Sequence, residues 1–260
     1  MMNRMPAVAG AFYPADSQEL QTMVDDLLDN AKADEPVPKA IIVPHAGYIY
    51  SGPIAASAYR LIKSSASHIG RVVLLGPSHR VAFQGLAASS AATFTTPLGG
   101  VPVDGDAVQS LLQFPFVSCF DHAHVLEHSL EVHLPFLQRT LGTFKLVPLV
   151  VGEASPGQVS QVLDALWGGD ETLIVISSDL SHYHDYASAK KLDQNTSHLI
   201  ENLDYEHLTY DSACGRAPVA GLLKLLRDKS LTIKTIDLRN SGDTAGDKRR
   251  VVGYGAYVVN

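Results

Sequence analysis

Apolar positions along this chain form either unbroken runs or helical stripes, and three of the runs end alike. Residues 39–43 (KAIIV) stop at Pro44-His45, residues 71–75 (RVVLL) at Gly76-Pro77-Ser78-His79, and residues 172–178 (TLIVISS) at Asp179-Leu180-Ser181-His182. Short continuous apolar runs bounded by turn residues predict strands buried on both faces. Interior strands that discharge ionisable groups at one end predict a crevice along the carboxyl edge of a sheet, where open α/β folds bind ligands.

The stripes predict the helices. Leu20, Met23, Val24, Leu27 and Leu28 repeat at helical spacing after Asp16, with Glu19 placed for a capping box, so residues 17–30 read as an amphipathic helix. Residues 6–14 before it read as an edge strand or an arm laid on the core. Pro53 reads as the first residue of a small-residue helix. Short apolar pieces over residues 86–103 read as hairpin strands, 104–113 as a helix and 116–120 as a strand. Residues 144–152 read as a strand that Pro148 assigns to an edge or bulge. Helices follow after Ser155-Pro156, over 187–202 and over 217–227. A strand at 231–237, a polar loop at 238–250 and a last strand, VVGYGAYVV, close the chain. The alternation predicts one α/β domain over residues 1–260.

Composition narrows the setting. The chain has 260 residues, with 20 basic against 27 acidic side chains and a net charge of -7, a balance that disfavours nucleic acid and anionic membrane as partners. Two cysteines, Cys119 and Cys214, are too few for a disulfide scaffold, and no apolar run reaches the ~18 residues of a membrane span, so the expected setting is the cytoplasm.

The candidate chemistry sits at the strand ends. His45 and His79 lie 34 residues apart, one βαβ unit, which predicts consecutive strand ends side by side. Two imidazoles there suit Fe, Zn or Cu, or are loop histidines bonded to backbone. Asp179 and His182 read as ligand and general base, as a histidine with its orienting carboxylate, or as a helix N-cap. Ser177 and Ser178 suggest a nucleophile, but no G-x-S-x-G elbow surrounds them. The segment DHAHVLEHSLEVHLPFL packs His124, Glu127, His128, Glu131 and His133 beside a leucine stripe, with Pro135 kinking or restarting the helix. These five groups can serve as support for a site, as a substrate-contacting lid or as a charged face. H-x-x-E-H occurs within them without the rest of a zincin pattern. Arg239, Asn240, Asp243, Asp247 and Lys248 make the last loop a source of a third ligand, an anion site or a plain polar return. Cys214, in ACGRAP, reads as a small buried hydrophobe. Neither a phosphate-binding loop nor a dinucleotide fingerprint is present.

Over VPHAGYIYSGPIAA, GPSHR, LEHSLEVHLPFLQ, SSDLSHYHDY, ACGRAPV and RNSGD…VVGYGAY the chain closely resembles the Memo-like family, known in microbes as AmmeMemoRadiSam system protein B. The resemblance spans the chain in order. It implies the α/β fold of class III extradiol-type non-haem iron dioxygenases, a mixed central sheet flanked by helices, with Fe(II) as the expected metal and Zn(II) or Cu as alternatives. It places the vestibule histidines on His45 and His79 and an Asp-x-x-His pair on Asp179 and His182. The animal member's cysteine ligand falls in the last loop, where this chain offers Asp243 instead, which counts against copper or thiol redox chemistry. The expected site is then a metal at His45, His79 and Asp243, with Asp179 and His182 catalytic. Tyr48, His124, Glu127, His128, Glu131, His133 and Arg239 would form the vestibule for a small molecule or peptide. The resemblance further implies a link to AMMECR-type and radical-SAM proteins. Three functions follow: a non-haem iron redox or dioxygenase-like enzyme, a peptide- or protein-binding scaffold, or a metal-dependent hydrolase.

Overall fold

A computed structural model describes residues 2–32 and 34–260. The strands are β1 (Asn3–Arg4), β2 (Ala40–Val43), β3 (Arg71–Pro77), β4 (Leu86–Ala88), β5 (Thr93–Thr96), β6 (Gly99–Pro102), β7 (Val117–Cys119), β8 (Lys145–Val151), β9 (Thr172–Ser177), β10 (His182–His184), β11 (Ile233–Asn240) and β12 (Val251–Val259). The helices are α1 (Ser17–Asn30), α2 (Tyr48–Ile62), α3 (Gly105–Leu111), α4 (His122–Val125), α5 (Leu134–Leu141), α6 (Pro156–Ala165), α7 (Tyr186–Glu201) and α8 (Arg216–Lys229).

Nine strands form a mixed sheet in the order β10-β12-β2-β9-β3-β8-β4-β7, with β11 also on β12. The segments β2, β9, β3 and β8 run parallel at its centre. Their side chains alternate between two cores, which is why their sequences carry no polar period. Ile41, Val43, Val72, Leu74, Leu173 and Val175 pack on one face with residues of α1, α2 and α5. Ala40, Ile42, Val73, Leu75, Ile174 and Ile176 pack on the other with residues of α6 and α8. The architecture is α/β, with helices flanking a mixed central sheet. Among the described residues no helix is long and apolar enough to cross a membrane.

The three runs are interior strands with their carboxyl ends on one side, as their composition predicts. Their order differs from the simple βαβ reading: β9 enters between β2 and β3, so the strands feeding His45 and His79 are not neighbours. A parallel partner can arrive from any distance along the chain, and local pattern does not name it.

Other departures have local causes. Asp16 caps α1 through Gln18 and Glu19 N–H, both at 2.9 Å, without the reciprocal bond that a capping box requires. Helix α2 begins at Tyr48, five residues ahead of Pro53, because Tyr48 N–H finds the Phe12 carbonyl at 2.8 Å, a bond from the distant N-terminal arm. Pro148 lies on an interior strand. There β4 pairs only as far as Leu149, and the next contact on that flank is at Leu146. The missing N–H therefore falls in a gap. Residues 121–137 form no single helix but α4, a loop, a 3-10 turn over Glu131–His133 and then α5 with Pro135 in its first turn. Residues 6–14 are the arm rather than a strand, with Val8 and Tyr13 buried.

Candidate metal centre

At the carboxyl edge of the parallel strands three imidazoles converge. His45, after β2, His79, after β3, and His128, in the loop after α4, each offer a nitrogen within 4.8 Å of the other two. The His79 and His128 rings stack with centroids 4.7 Å apart, and His45 meets His79 edge-on at 5.0 Å. Two glycines permit the approach. A Cβ on Gly76, in β3, would lie 2.7 Å from Ser129 Oγ, so glycine there lets the 128–130 loop close on the strand end. A Cβ on Gly215 would lie 2.4 Å from the Ser177 carbonyl, so glycine there brings the preceding turn and its thiol against β9.

Hydrogen bonds determine which nitrogens remain free. His79 Nδ1 lies 2.9 Å from Glu127 Oε1, and His79 N–H donates to the other carboxylate oxygen at 2.6 Å. A carboxylate only accepts, so Nδ1 carries the proton, and in the neutral ring Nε2 keeps its lone pair. Glu127 also accepts the N–H of His128 and Ser129, each at 3.0 Å. Burial works against its charge, yet the hydrogen bonds from His79, together with the Ser129 N–H, bring its carboxyl down to about 2. His45 Nδ1 contacts Ser177 Oγ at 2.6 Å, while its backbone N–H donates to Asp179 Oδ1 at 2.8 Å. Burial, then the neighbouring histidines, hold His45 well below the usual imidazole range, and His128 is held down to about 4 chiefly by burial. His128 Nδ1 is buried without a hydrogen-bond partner. Neutral imidazoles with lone pairs to give, one of them otherwise orphaned, fit a transition-metal cation.

Asp179 is beside this group: its second oxygen lies 4.0 Å from His45 Nε2, and burial raises its carboxyl above the ordinary range. It caps no helix, since α7 starts only at Tyr186 with Asp185 as its cap. His182, on β10, directs Nδ1 at the Leu180 carbonyl (2.8 Å), which leaves Nε2 as the acceptor of the neutral ring. A cleft of about 360 Å³ reaches the centre, bounded by His79, Arg80, Phe83, Glu153, Tyr210 and Cys214 among others.

The other expected residues lie elsewhere or do structural work. Asp243 stays out of the three-histidine group: its oxygens accept Tyr186 O–H at 2.6 Å and Asn240 N–H at 3.0 Å, and His128 stands where it was expected. Arg239 pairs with Asp237 and lines a separate cavity of about 1130 Å³ against α1 and α2, larger than the cleft but lined by none of the three histidines. Tyr48 is buried, donating to the Val132 carbonyl at 2.5 Å and packing on Phe136. Glu131 is wholly buried beneath the N-terminal arm, where it pairs with Arg4. His124 is buried with Nε2 2.9 Å from the Ala87 carbonyl. His133 lies behind the site, against Ser177 Oγ at 2.8 Å and Tyr59 O–H at 2.9 Å.

Ser177 and Cys214 both touch His45, a place their sequence context does not reveal. Cys214 Sγ is 3.2 Å from His45 Nε2 and accepts Asp179 N–H at 3.3 Å; burial, then the Asp179 charge, pushes its thiol up. The available signals were a polar residue ending an apolar strand, and a glycine directly after a cysteine.

A family model described as Memo-like protein matches residues 4–258. A MEMO1 family protein of Aquifex aeolicus is 38% identical over 265 residues, covering 98% of each chain. One of Ignicoccus hospitalis is 38% identical over 283 residues, again 98% of each, and one of Methanobrevibacter smithii is 34% identical over 283 residues, 99% of each. A crystal structure of an uncharacterized Escherichia coli K12 protein aligns with TM-score 0.48 and 15% identity over 84% of this chain and 98% of that one, too distant to carry a functional argument.

Proposed function

This chain belongs to the Memo-like family, and from its site we propose that it is a metal-dependent protein in which His45, His79 and His128 hold one divalent transition metal for chemistry on a small molecule or peptide. The observation that carries this reading is the convergence of three imidazoles, two of them with Nδ1 engaged from behind so that Nε2 is left to ligate. The donor set suits Fe(II), our first choice, and also Zn(II) or Cu. Bound there, the metal would supply a Lewis acid or, as iron, a redox centre.

The protein's own residues divide the remaining work. Glu127 orients His79, and Asp179 holds the turn after β2 through the His45 N–H. On this reading His182 takes a proton from a bound ligand through Nε2, its Nδ1–H being tied to the Leu180 carbonyl. The apolar strands behind the histidines exclude water and keep the donors rigid. Within this reading we take the activity as non-haem iron redox or dioxygenase-like chemistry, as the family resemblance implies, in a cytoplasmic protein linked to AMMECR-type and radical-SAM partners. A zinc-dependent hydrolase is the second reading, favoured by the all-histidine donor set. Metal analysis of protein purified without oxygen tests both, with about one Fe(II) per chain expected. His45→Ala/His79→Ala should fold and bind no stoichiometric metal. Full occupancy in that variant overturns the site, and a wild type that takes up no metal favours a binding scaffold.

A further inference from the structure

Strand β9 ends in a fully buried serine with three polar neighbours. Ser177 Oγ lies 2.6 Å from the Ser129 carbonyl, 2.6 Å from His45 Nδ1 and 2.8 Å from His133 Nε2. The hydroxyl has one proton and two lone pairs. Ser129 O can only accept, so the Ser177 proton goes there. Both imidazole nitrogens must therefore be N–H donors to the same oxygen. The far end closes consistently: with Nε2 protonated, His133 Nδ1 is an acceptor, and Tyr59 O–H supplies it at 2.9 Å. Burial keeps the His133 ring neutral, its pKa held to about 3. None of these atoms is left buried without a partner. On its other edge, His45 presents an unprotonated Nε2, faced by the Cys214 sulfur at 3.2 Å.

We propose that Ser177 is a positioning residue for the metal centre: by accepting Nδ1–H from His45 while donating to Ser129 O, it locks the tautomer that offers Nε2 to the metal. Placing the proton on Nε2 instead would oblige Ser177 to donate to His45 and leave the Ser129 carbonyl buried without this donor. It would also direct N–H, rather than a lone pair, at the metal position. The serine thus does for His45 what the Glu127 carboxylate does for His79. The inference rests on the metal-centre reading above and adds the selection of the ligating nitrogen.

Histidine tautomers are read in metal-free protein, labelled with ¹⁵N at histidine, by long-range ¹H–¹⁵N correlation. His45 is expected as Nδ1–H and His133 as Nε2–H. In Ser177→Ala, His45 should populate both tautomers, and zinc affinity should fall ~10–100-fold with the circular dichroism unchanged. Ser177→Thr, which keeps the hydroxyl, should restore the wild-type tautomer. His133→Phe perturbs the same core while leaving the Ser177–His45 bond in place, so His45 should stay Nδ1–H. A His45 shift in His133→Phe as large as in Ser177→Ala would make the effect general core damage and overturn the proposal. A wild type that binds zinc with His45 as Nε2–H overturns the role of Ser177 alone, a result that does not depend on any variant folding. A wild type that takes up no metal overturns the centre itself, whatever its tautomers.

Discussion

Glu131 provides the sharpest test of which acidic groups support the fold and which support the site. Its carboxylate is fully buried and accepts four donors from the N-terminal arm: the Arg4 guanidinium, Ala7 N–H at 2.7 Å, Val8 N–H at 3.0 Å and the Tyr13 hydroxyl. Glu131→Gln keeps the shape, but its amide nitrogen confronts two of those donors with a third, and Arg4 loses its buried counter-charge. Breaking a buried ion pair from one side costs about 3–5 kcal/mol. For a chain of this size each kcal/mol shifts Tm by roughly 2–4 °C, so melting should fall by about 6–20 °C if the arm unfolds with the core. If the arm detaches first, the loss appears instead as fast amide exchange over Arg4–Tyr13. Thermal melts and hydrogen exchange read the two cases separately, and metal content should be unchanged. A variant that melts within about 2 °C of wild type, with the Ala7 and Val8 amides still protected, refutes the reasoning. Metal loss from an otherwise intact fold would return Glu131 to the vestibule.

The remaining predictions concern pH, thiol access and packing. Burial lowers the His124 and His133 pKa to about 4 and about 3, the Arg4 charge adding to the His124 shift, while the unfolded chain titrates them near 6.5. Between those values the unfolded state binds more protons, so their contribution is complete above about pH 6.5 and falls by up to ~2.7 kcal/mol per pH unit on acidification. His133→Phe should remove about one proton from that slope in denaturant titrations, and equal slopes for the two proteins refute the assignment. Burial, with a nearby carboxylate, raises both thiols, but only Cys119 is exposed. A thiol reagent should modify Cys119 slowly and the half-buried, more strongly raised Cys214 more slowly still, and equal rates refute this. Gly215→Ala would set a Cβ 2.4 Å from the Ser177 carbonyl and should cost ~1–3 kcal/mol, with Cys214 becoming reactive as its turn lifts. An unchanged melt refutes the close-approach argument.

The strands that carry the site were legible because burial on both faces removes the polar period, and His45, His79, Asp179 and His182 could be placed at their ends for the same reason. Composition could not order the strands: nothing in residues 172–177 says that they enter between β2 and β3. His128 was visible as one of five ionisable groups but not as a ligand, since its loop has no period and reaches the centre only through Gly76. Asp243 was chosen by analogy of position along the chain, and its neighbours Tyr186 and Asn240 use its oxygens locally. The same limit hid Cys214, which lies 169 residues from His45 in sequence and touches it only because Gly215 has no side chain.

The insertion of β9 has a consequence for when the protein becomes complete during synthesis. The strands β2 and β3 leave the ribosome early, together with both of their histidines, but the strand that separates them ends at Ser177. Until that segment emerges, β2 and β3 have no common partner, His45 has no hydroxyl behind it, and the edge that gathers the three imidazoles does not exist. A nascent chain that has passed residue 128 but not Ser177 holds all three histidines and still has no centre. On the proposed reading of the site, metal capture is therefore a late event, reserved for chains whose sheet has already closed.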